Sequence, residues 1–315
     1  MSRKANYWKN PDEPMTRNLM AEKTVRKPTV AIVGAGSLAT FLAVALHGAG
    51  FTITEIVTRD SPRSRRHARA LAAKVGAQLV TADSAALHAT LLWFCVPDRD
   101  IRVAASALAV HLAARAAAHK KNKICFALHS SGVLSSRELD PLRKAGVAVA
   151  SVHPLMTFVA GAHPSLTGVP FAMEGDHAAT RVASRIVRHL GGESFSLPAA
   201  RKPAYHAWAT LTSPLLLAFL VTLEEAARAA GLTPQGARRK SLPIIQQTLA
   251  NYSHLGPSRS FSGPLVRGDA ETVAKHLAVL KKHPEAREVY VALARAALRG
   301  LPVKNRNGLS RLLRG

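Results

Sequence analysis

The sequence predicts an α/β protein: a doubly wound, mainly parallel sheet followed by an all-helical C-terminal domain. Three observations carry this. Short β-branched runs alternate with helical apolar periods through the first two-thirds of the chain, as strands joined by crossover helices do. The first strand-to-helix junction is a glycine-rich turn, Gly34-Ala35-Gly36. Past Pro198 the strand signals stop, and the later periodic segments repeat at helical spacing.

In order, Thr29–Val33 is a β-branched strand and Ser37–Ala49 a helix that Gly50 stops. Thr52–Thr58 is the second strand. Ser61–Val75 is helical and very basic on one side. Gln78–Val80 is a short third strand, and Leu91–Val96 a strongly apolar fourth, closed by Pro97-Asp98. Ile101–Ala118 is an Ala-rich helix. Ile124–Leu128 is the fifth strand and runs into His129-Ser130-Ser131-Gly132, with a helix at Ser135–Ala145. Val147–Val152 is the sixth and ends at His153-Pro154. Phe171–Glu174 and Ser194–Leu197 are two more strands around a helix, His177–Leu190, that Gly191-Gly192 terminates. Tyr205–Ala230, Pro234–Tyr252, Ala270–Leu280 and Glu285–Leu298 are helices. The expected organisation is a flexible basic extension (1–26), the sheet domain (27–198), the helical domain (199–303) and a frayed basic tail (304–315).

A chain of 315 residues, 48% hydrophobic and 5% aromatic, fills two cores and favours helices on a sheet over an all-β fold. Lys and Arg number 43 against 19 Asp and Glu, a formal net charge of +24 that attracts polyanions. No zinc spacing, RNA-binding signature or long basic helix goes with it, so specific nucleic-acid recognition is not expected. Cys95 and Cys125 cannot make a disulfide framework; both lie in apolar runs and read as buried, reduced thiols of a cytoplasmic protein. The extension lacks the apolar stretch of roughly 7–15 residues that a secretory signal needs. The most apolar stretch, Leu211–Leu223, reads as a buried helix too short for a bilayer, so no membrane is expected. No His-Glu-x-x-His or Cys-x-x-Cys spacing points to a metal.

Gly34-Ala35-Gly36-Ser37-Leu38-Ala39 has the form G-x-G-x-x-A between a strand and a helix, the dinucleotide fingerprint of a Rossmann sheet. The first glycine makes the tight turn, and the second lets backbone approach a pyrophosphate. The small third residue lets helix pack on strand, and the helix N-terminus offers free N–H groups to the phosphates. Where an NAD enzyme places an acid for the ribose diol, this chain has Arg59, suited to a 2′-phosphate, with Ser61 able to add a hydroxyl. Asp60, one residue on, could still serve a diol. The expected cofactor is NADP(H). Val96-Pro97-Asp98 closes the fourth strand beside the nicotinamide ribose, and Asp98 reads equally as a helix cap.

With Val96-Pro97-Asp98, His129-Ser130-Ser131-Gly132, His153-Pro154-Leu155, Lys202 with Tyr205-His206, Ser262-Gly263-Pro264 and Arg267-Gly268-Asp269, the chain resembles the Rossmann-like oxidoreductases with a 6-phosphogluconate dehydrogenase-type helical domain. That group includes ketopantoate reductase, pyrroline-5-carboxylate reductase, prephenate dehydrogenase and the deazaflavin-dependent NADP reductases. The resemblance spans about residues 28–299 and lies nearest an uncharacterised branch. It implies NADP binding, an all-helical second domain and a homodimer built through those helices. It makes Lys202 a candidate to polarise or protonate a substrate carbonyl. His206 stands where the group commonly has an amide, and Pro214 where it has Asn, which puts the inherited role in question.

His129 and His153 close successive strands where the ligand crevice of a parallel sheet opens. Each reads either as a proton shuttle or as a loop histidine bonded to backbone. Ser130, Ser131 and Gly132 read as donors to a substrate carboxylate or phosphate, or as a helix cap. Arg267 reads as an anchor for an acidic substrate group, in a loop where Asp269 can cap the next helix. The expected function is hydride transfer between a nicotinamide and a small carbonyl, alcohol or imine substrate. Two other classes stay open: a non-catalytic NADP-binding sensor and a nucleic-acid-associated basic protein.

Overall fold

A computed structural model describes residues 26–117, 124–162 and 164–314. The expected extension, residues 1–26, lies outside them except for Arg26. The chain divides into two compact units, Met1–Pro203 and Ala204–Gly315. The first begins with β1 (Val30–Val33), α1 (Ser37–Gly48), β2 (Ile53–Thr58), α2 (Pro62–Val75), β3 (Gln78–Thr81), β4 (Leu91–Phe94) and α3 (Asp98–Ala117). It continues with β5 (Phe126–His129), α4 (Asp140–Lys144), β6 (Ala148–Pro154), β7 (Pro170–Gly175), α5 (His177–His189) and β8 (Glu193–Ser196). The expected helix at Ser135–Ala145 is a 3-10 turn, Ser136–Leu139, running into α4.

All eight strands form one sheet in the order β3-β2-β1-β4-β5-β6-β7-β8. Pairing is parallel from β3 to β6 and between β7 and β8, and antiparallel only between β6 and β7. Alternating side chains feed two cores. Val30, Ile32, Trp93, Leu128 and Val152 point to the side where α1, α2 and α5 pack. Ala31, Val33, Phe94, Ala127 and Val149 point to the side of α3 and α4. β1 and β4 are buried along their whole length, as central parallel strands must be. Cys95 is buried as expected, but Cys125 is exposed: it stands just before β5 begins, outside the ladder.

The second unit is helical. α6 (Lys202–Thr212) crosses into it, followed by α7 (Pro214–Arg228), α8 (Pro234–Leu255), α9 (Pro257–Ser260), α10 (Pro264–Arg267), α11 (Ala270–Leu280), α12 (Pro284–Gly300) and α13 (Arg306–Leu312). The single helix expected at Tyr205–Ala230 is two. Ser213 leaves helical geometry (φ −127, ψ −72), and Pro214, which lacks the N–H an interior position needs, starts α7 instead. The apolar stretch Leu211–Leu223 is not buried within the chain. Leu211 and Leu217 are each 63% exposed and α7 has no buried residue. Residues 199–228 are also long and apolar enough to cross a membrane by composition, with 6% of the window buried.

The C-terminal segment is not frayed. α13 inserts Leu309 and Leu313 into the core that Val273, Leu277 and Ala294 build. Lys304 N–H donates to Val266 O (3.1 Å) and Asn305 Nδ2 to Gly268 O (3.2 Å), which ties the tail to the α10–α11 turn. Leu309 is fully buried. Leu309→Ala is expected to destabilise the helical unit by about 2–5 kcal/mol in chemical denaturation. An unchanged midpoint would mean that the tail contributes nothing to the fold.

Candidate functional site

The carboxyl ends of β1, β2 and β4 open into a crevice of about 680 Å³, the size that small-molecule sites take. Gly34, Ala35 and Gly36 form one wall, Thr58, Arg59 and Asp60 another, and Val96 and Pro97 the floor towards α3. The two glycines are there for different reasons. Gly34 has φ +113, and a Cβ would stand 2.5 Å from Cys95 O, so the β1–α1 turn tolerates no side chain. A Cβ on Gly36 would meet nothing within 4 Å. It would project into open space beside the helix start, where a ligand has to approach backbone. Gly36 caps α1 without a side chain, and no acid stands in the first turn, so the leading N–H groups face the crevice uncompensated. Ser37 is exposed at the same place. Leu38 faces the sheet beside Trp93 and Ser130, and Ala39 is fully buried; both act through helix packing.

At the far end Arg59 is 74% exposed and reaches Asp100 at 3.5 Å. Asp60, the residue suited to a ribose diol, is turned onto Arg65 at 2.7 Å. Ser61 is occupied as a cap: its Oγ accepts the Ser64 N–H at 3.3 Å. Asp98 is the first residue of α3 rather than a cap preceding it. Burial pushes the Cys95 thiol up, out of nucleophilic range.

Beyond the crevice, on the side of the sheet facing α3 and α4, the register lines up three polar residues. His129 of β5 pairs with Ser151 of β6, and Ser151 pairs with Glu174 of β7. Lys202, 1% exposed, lies against this row. Its Nζ donates to Ser151 Oγ at 2.8 Å and to Ser131 O at 3.0 Å. Ser151 Oγ–H in turn donates to Ser131 O (3.3 Å). Burial lowers the Lys202 ammonium to about 8, while Glu174 and Asp98 act the other way. Glu174 is held by Ser136, whose N–H and hydroxyl donate to its two carboxylate oxygens at 2.5 and 3.0 Å.

The turn after β5 is fixed by its own side chains. His129 is fully buried. Its Nδ1 accepts the Ser131 N–H at 3.1 Å, so Nε2 carries the proton and donates to Ser135 O at 3.0 Å. Ser131 Oγ accepts from Val133 N–H and Leu134 N–H, and Ser130 Oγ accepts from Trp93 Nε1 at 2.9 Å. Ser131 is therefore spent on the turn itself and does not cap the helical segment, whose cap position is Ser135. Gly132 is buried in the same turn, and His153 is half-buried on β6, two residues beyond Ser151 on the same side of the strand.

Lys202 is thus brought to the turn after β5, and Arg59 to the glycine crevice. His206 and Arg267 belong to the helical unit. Asp269 caps α11 through Thr272 N–H (3.0 Å), as its structural reading expects, and Arg267 is exposed. The sequence reading missed Ser151, Glu174 and Asp100. Ser151 did leave a signal: it is the lone hydroxyl in the apolar run Val147–Val152.

Residues 14–154 match the Rossmann-like domain family, and residues 169–297 match a domain of unknown function, DUF2520. The second match begins at β7, so it claims the last two strands as well as the helices. No curated protein matches the sequence. Among solved structures, a Bacteroides fragilis protein described as a candidate NADP oxidoreductase is 22% identical over 86% of this chain and 97% of its own, with a TM-score of 0.68. An imine reductase from Myxococcus stipitatus, solved with NADP+, is 15% identical over 86% of this chain and 94% of its own, with a TM-score of 0.61. A reductive aminase from Aspergillus terreus, solved with NADPH and ethyl-5-oxohexanoate, is 17% identical over 91% and 98%, with a TM-score of 0.59. At these identities the likeness is one of fold. The chain therefore joins a Rossmann-like domain to a DUF2520 domain.

Proposed function

We propose that the protein is an NADP(H)-dependent oxidoreductase that moves a hydride between the nicotinamide and a carbonyl, alcohol or imine carbon of a small substrate. The observation that carries this reading is the buried Lys202 ammonium, set at the ends of β5 and β6 on the same sheet edge as the glycine crevice. The residues present fit the dinucleotide. Open space stands where Gly36 lacks a side chain, uncapped N–H groups face a diphosphate, and Arg59 faces a 2′-phosphate while Arg65 occupies Asp60. The NADP(H) complexes of the imine reductase and the reductive aminase support the same cofactor.

When bound, the nicotinamide supplies or accepts the hydride. This chain's residues do the rest. Lys202 holds a proton for the substrate heteroatom, and near neutral pH it can both give and regain one. Ser151 and the Ser131 carbonyl fix Nζ and take two of its N–H groups, which leaves the third for the substrate. His129 is not a proton donor in this scheme. Both its nitrogens are engaged, and burial lowers its pKa to about 4, so it stays neutral and holds the turn. His153, with its ring half-buried on the side of the sheet that carries Ser151, remains the second candidate proton carrier. Ser130 and Gly132 line the same turn as candidate anchors, and Arg267 and His206 are assigned no step.

The apolar surface of α6, α7 and α8 calls for a cover. Trp208, Leu211, Leu217, Val221, Ile244 and Leu249 are all more than half exposed, a patch that a solitary chain rarely leaves to water. A second copy of the chain is the occupant proposed. α8 shares the surface but also carries Arg238, Arg239 and Lys240, which suits a dimer better than a bilayer.

Calorimetric titration is expected to give tighter binding of NADPH than of NADH, and Arg59→Ala should weaken NADPH about tenfold or more, towards the NADH value. Lys202→Met should leave both titrations unchanged while abolishing NADPH oxidation by carbonyl and imine compounds. In the native enzyme that reduction should fall as pH rises through about 8, where the ammonium is lost. Weak, equal binding of both nucleotides would end the oxidoreductase reading.

His129 makes a separate prediction. Its folded pKa of about 4 lies below the ordinary 6.5, so the unfolded chain takes up the proton first on acidification. Stability should therefore be lost between pH 6.5 and 4, by on the order of 3 kcal/mol, and His129→Gln should flatten that limb. An unaltered acid limb in the variant would assign the effect elsewhere. Sedimentation without detergent should give a dimer, and Leu217→Glu with Ile244→Glu a monomer. A monomeric native protein would sink the dimer proposal.

A further inference from the structure

The charge of the first unit is sorted by face. α1, α2 and α5 pack on one side of the sheet, and no Asp or Glu occurs within any of the three. α2 holds four arginines and a lysine, and α5 holds three arginines. Arg66, Arg69 and Arg181 are exposed and Arg185 is half-exposed, while the apolar residues of both helices point into the sheet. Of the four arginines on α2, Arg65 turns to Asp60 at the rim. The opposite side differs. There acids lie among the bases: Arg102 pairs with Glu138, and Arg143 with both Asp140 and Asp176. In this unit the α1–α2–α5 face therefore gathers eight cationic side chains from α2 and α5 with no carboxylate from its own helices.

We propose that the α1–α2–α5 face binds the phosphate backbone of double-stranded nucleic acid without sequence selectivity. Three features choose this partner. The face carries seven arginines to one lysine, and the planar guanidinium matches phosphate oxygens two at a time. None of the large exposed hydrophobic side chains lies on α1, α2 or α5, so the surface lacks the apolar anchors with which a helix enters a lipid interface. It also lacks an exposed aromatic platform of the kind on which single strands stack their bases. Nothing on it is shaped to read base edges, so contact ends at the backbone. The inference is independent of the oxidoreductase reading, because the glycine crevice is lined from α2 by Arg63, Ser64 and His67, and not by Arg66 or Arg69.

The test is fluorescence anisotropy of the full chain with a labelled duplex of about 20 base pairs and arbitrary sequence, at several salt concentrations around 0.15 M. Two double variants with the same change in net charge are compared. Arg66→Glu with Arg181→Glu alters the face, whereas Arg99→Glu with Arg115→Glu alters α3 on the other side. The face variant is expected to bind at least about tenfold more weakly and with a salt slope shallower by about 2, and the α3 variant to stay within about twofold of the native protein. Unchanged circular dichroism and NADPH titration in both would show that the fold is kept. Equal losses in the two variants would mean that total charge alone attracts the duplex, and the assignment fails. It fails equally if the native protein prefers phosphatidylserine-containing vesicles or a single strand of the same length, or binds nothing near physiological salt.

Discussion

An ammonium group taken almost wholly out of water must be met by protein oxygens, and the sheet domain is arranged around that requirement at Lys202. The carbonyl of Ser131 can face Nζ only if its peptide is held. It is held from both sides: the Ser131 N–H is spent on His129 Nδ1, and Ser131 Oγ is spent on the N–H groups of Val133 and Leu134. The ring of His129 is aimed by Ser135 O. A protonated Nδ1 could not accept the Ser131 N–H, so the neutrality that burial enforces on His129 is a condition of the turn's geometry. The imidazole at the end of β5 thus acts on the lysine's position through one peptide group.

The antiparallel reversal at β7 belongs to the same arrangement. A parallel β6–β7 pair would have needed a crossover connection, usually a helix, between them. The reversal instead puts Glu174 directly beside Ser151 in the register, one strand from the lysine. Its negative charge favours the ammonium, while burial disfavours it, and the balance brings Lys202 to about 8. A lysine fully charged and stable would hold its proton too firmly to exchange it. One buried without carboxylates near it would have none to give.

The order of strands and helices was legible because each central strand is an apolar run closed by Gly, Pro or His, and because the glycine turn has only one useful context. Residue-level outcomes divided according to range. Ala39, which depends on one helix packing on one strand, behaves as the motif implies. The Lys202–Ser151 contact joins residues 51 apart, and nothing local encodes it beyond a stray hydroxyl in an apolar strand. His129 read equally as a shuttle or as a histidine bonded to backbone, because its place at a strand end suits both; the backbone groups that decide for the second come from the turn's conformation, which the sequence does not display. The apolar run in α6 and α7 failed differently. Composition states that such a surface needs burial, but it does not say whether the cover comes from the same chain. The tail failed for the opposite reason: four of its twelve residues are Lys or Arg, yet its buried positions among the described residues are Leu309 and Leu313, one turn apart on the same face.

The Arg59 end of the crevice, proposed for the adenosine ribose, shows how a binding site can be kept ready at little cost. Arg59 stands among arginines, and a bare cluster of like charge would repel itself and wander. Asp100 gives it a resting partner at 3.5 Å, in a pair so exposed that it is worth about 0–1 kcal/mol. A phosphate with two or more charged oxygens forms stronger, paired hydrogen bonds to the same guanidinium and displaces that contact almost for free. Asp60, the group that would favour an unphosphorylated ribose, is drawn to Arg65 and is thereby turned from the diol's side of the argument. Selectivity at this corner then depends less on any one residue than on which carboxylate each arginine holds. That is why a sequence with Arg59 and Asp60 adjacent leaves both nucleotides open, whereas the arrangement of the four side chains supports the phosphate proposed for this corner.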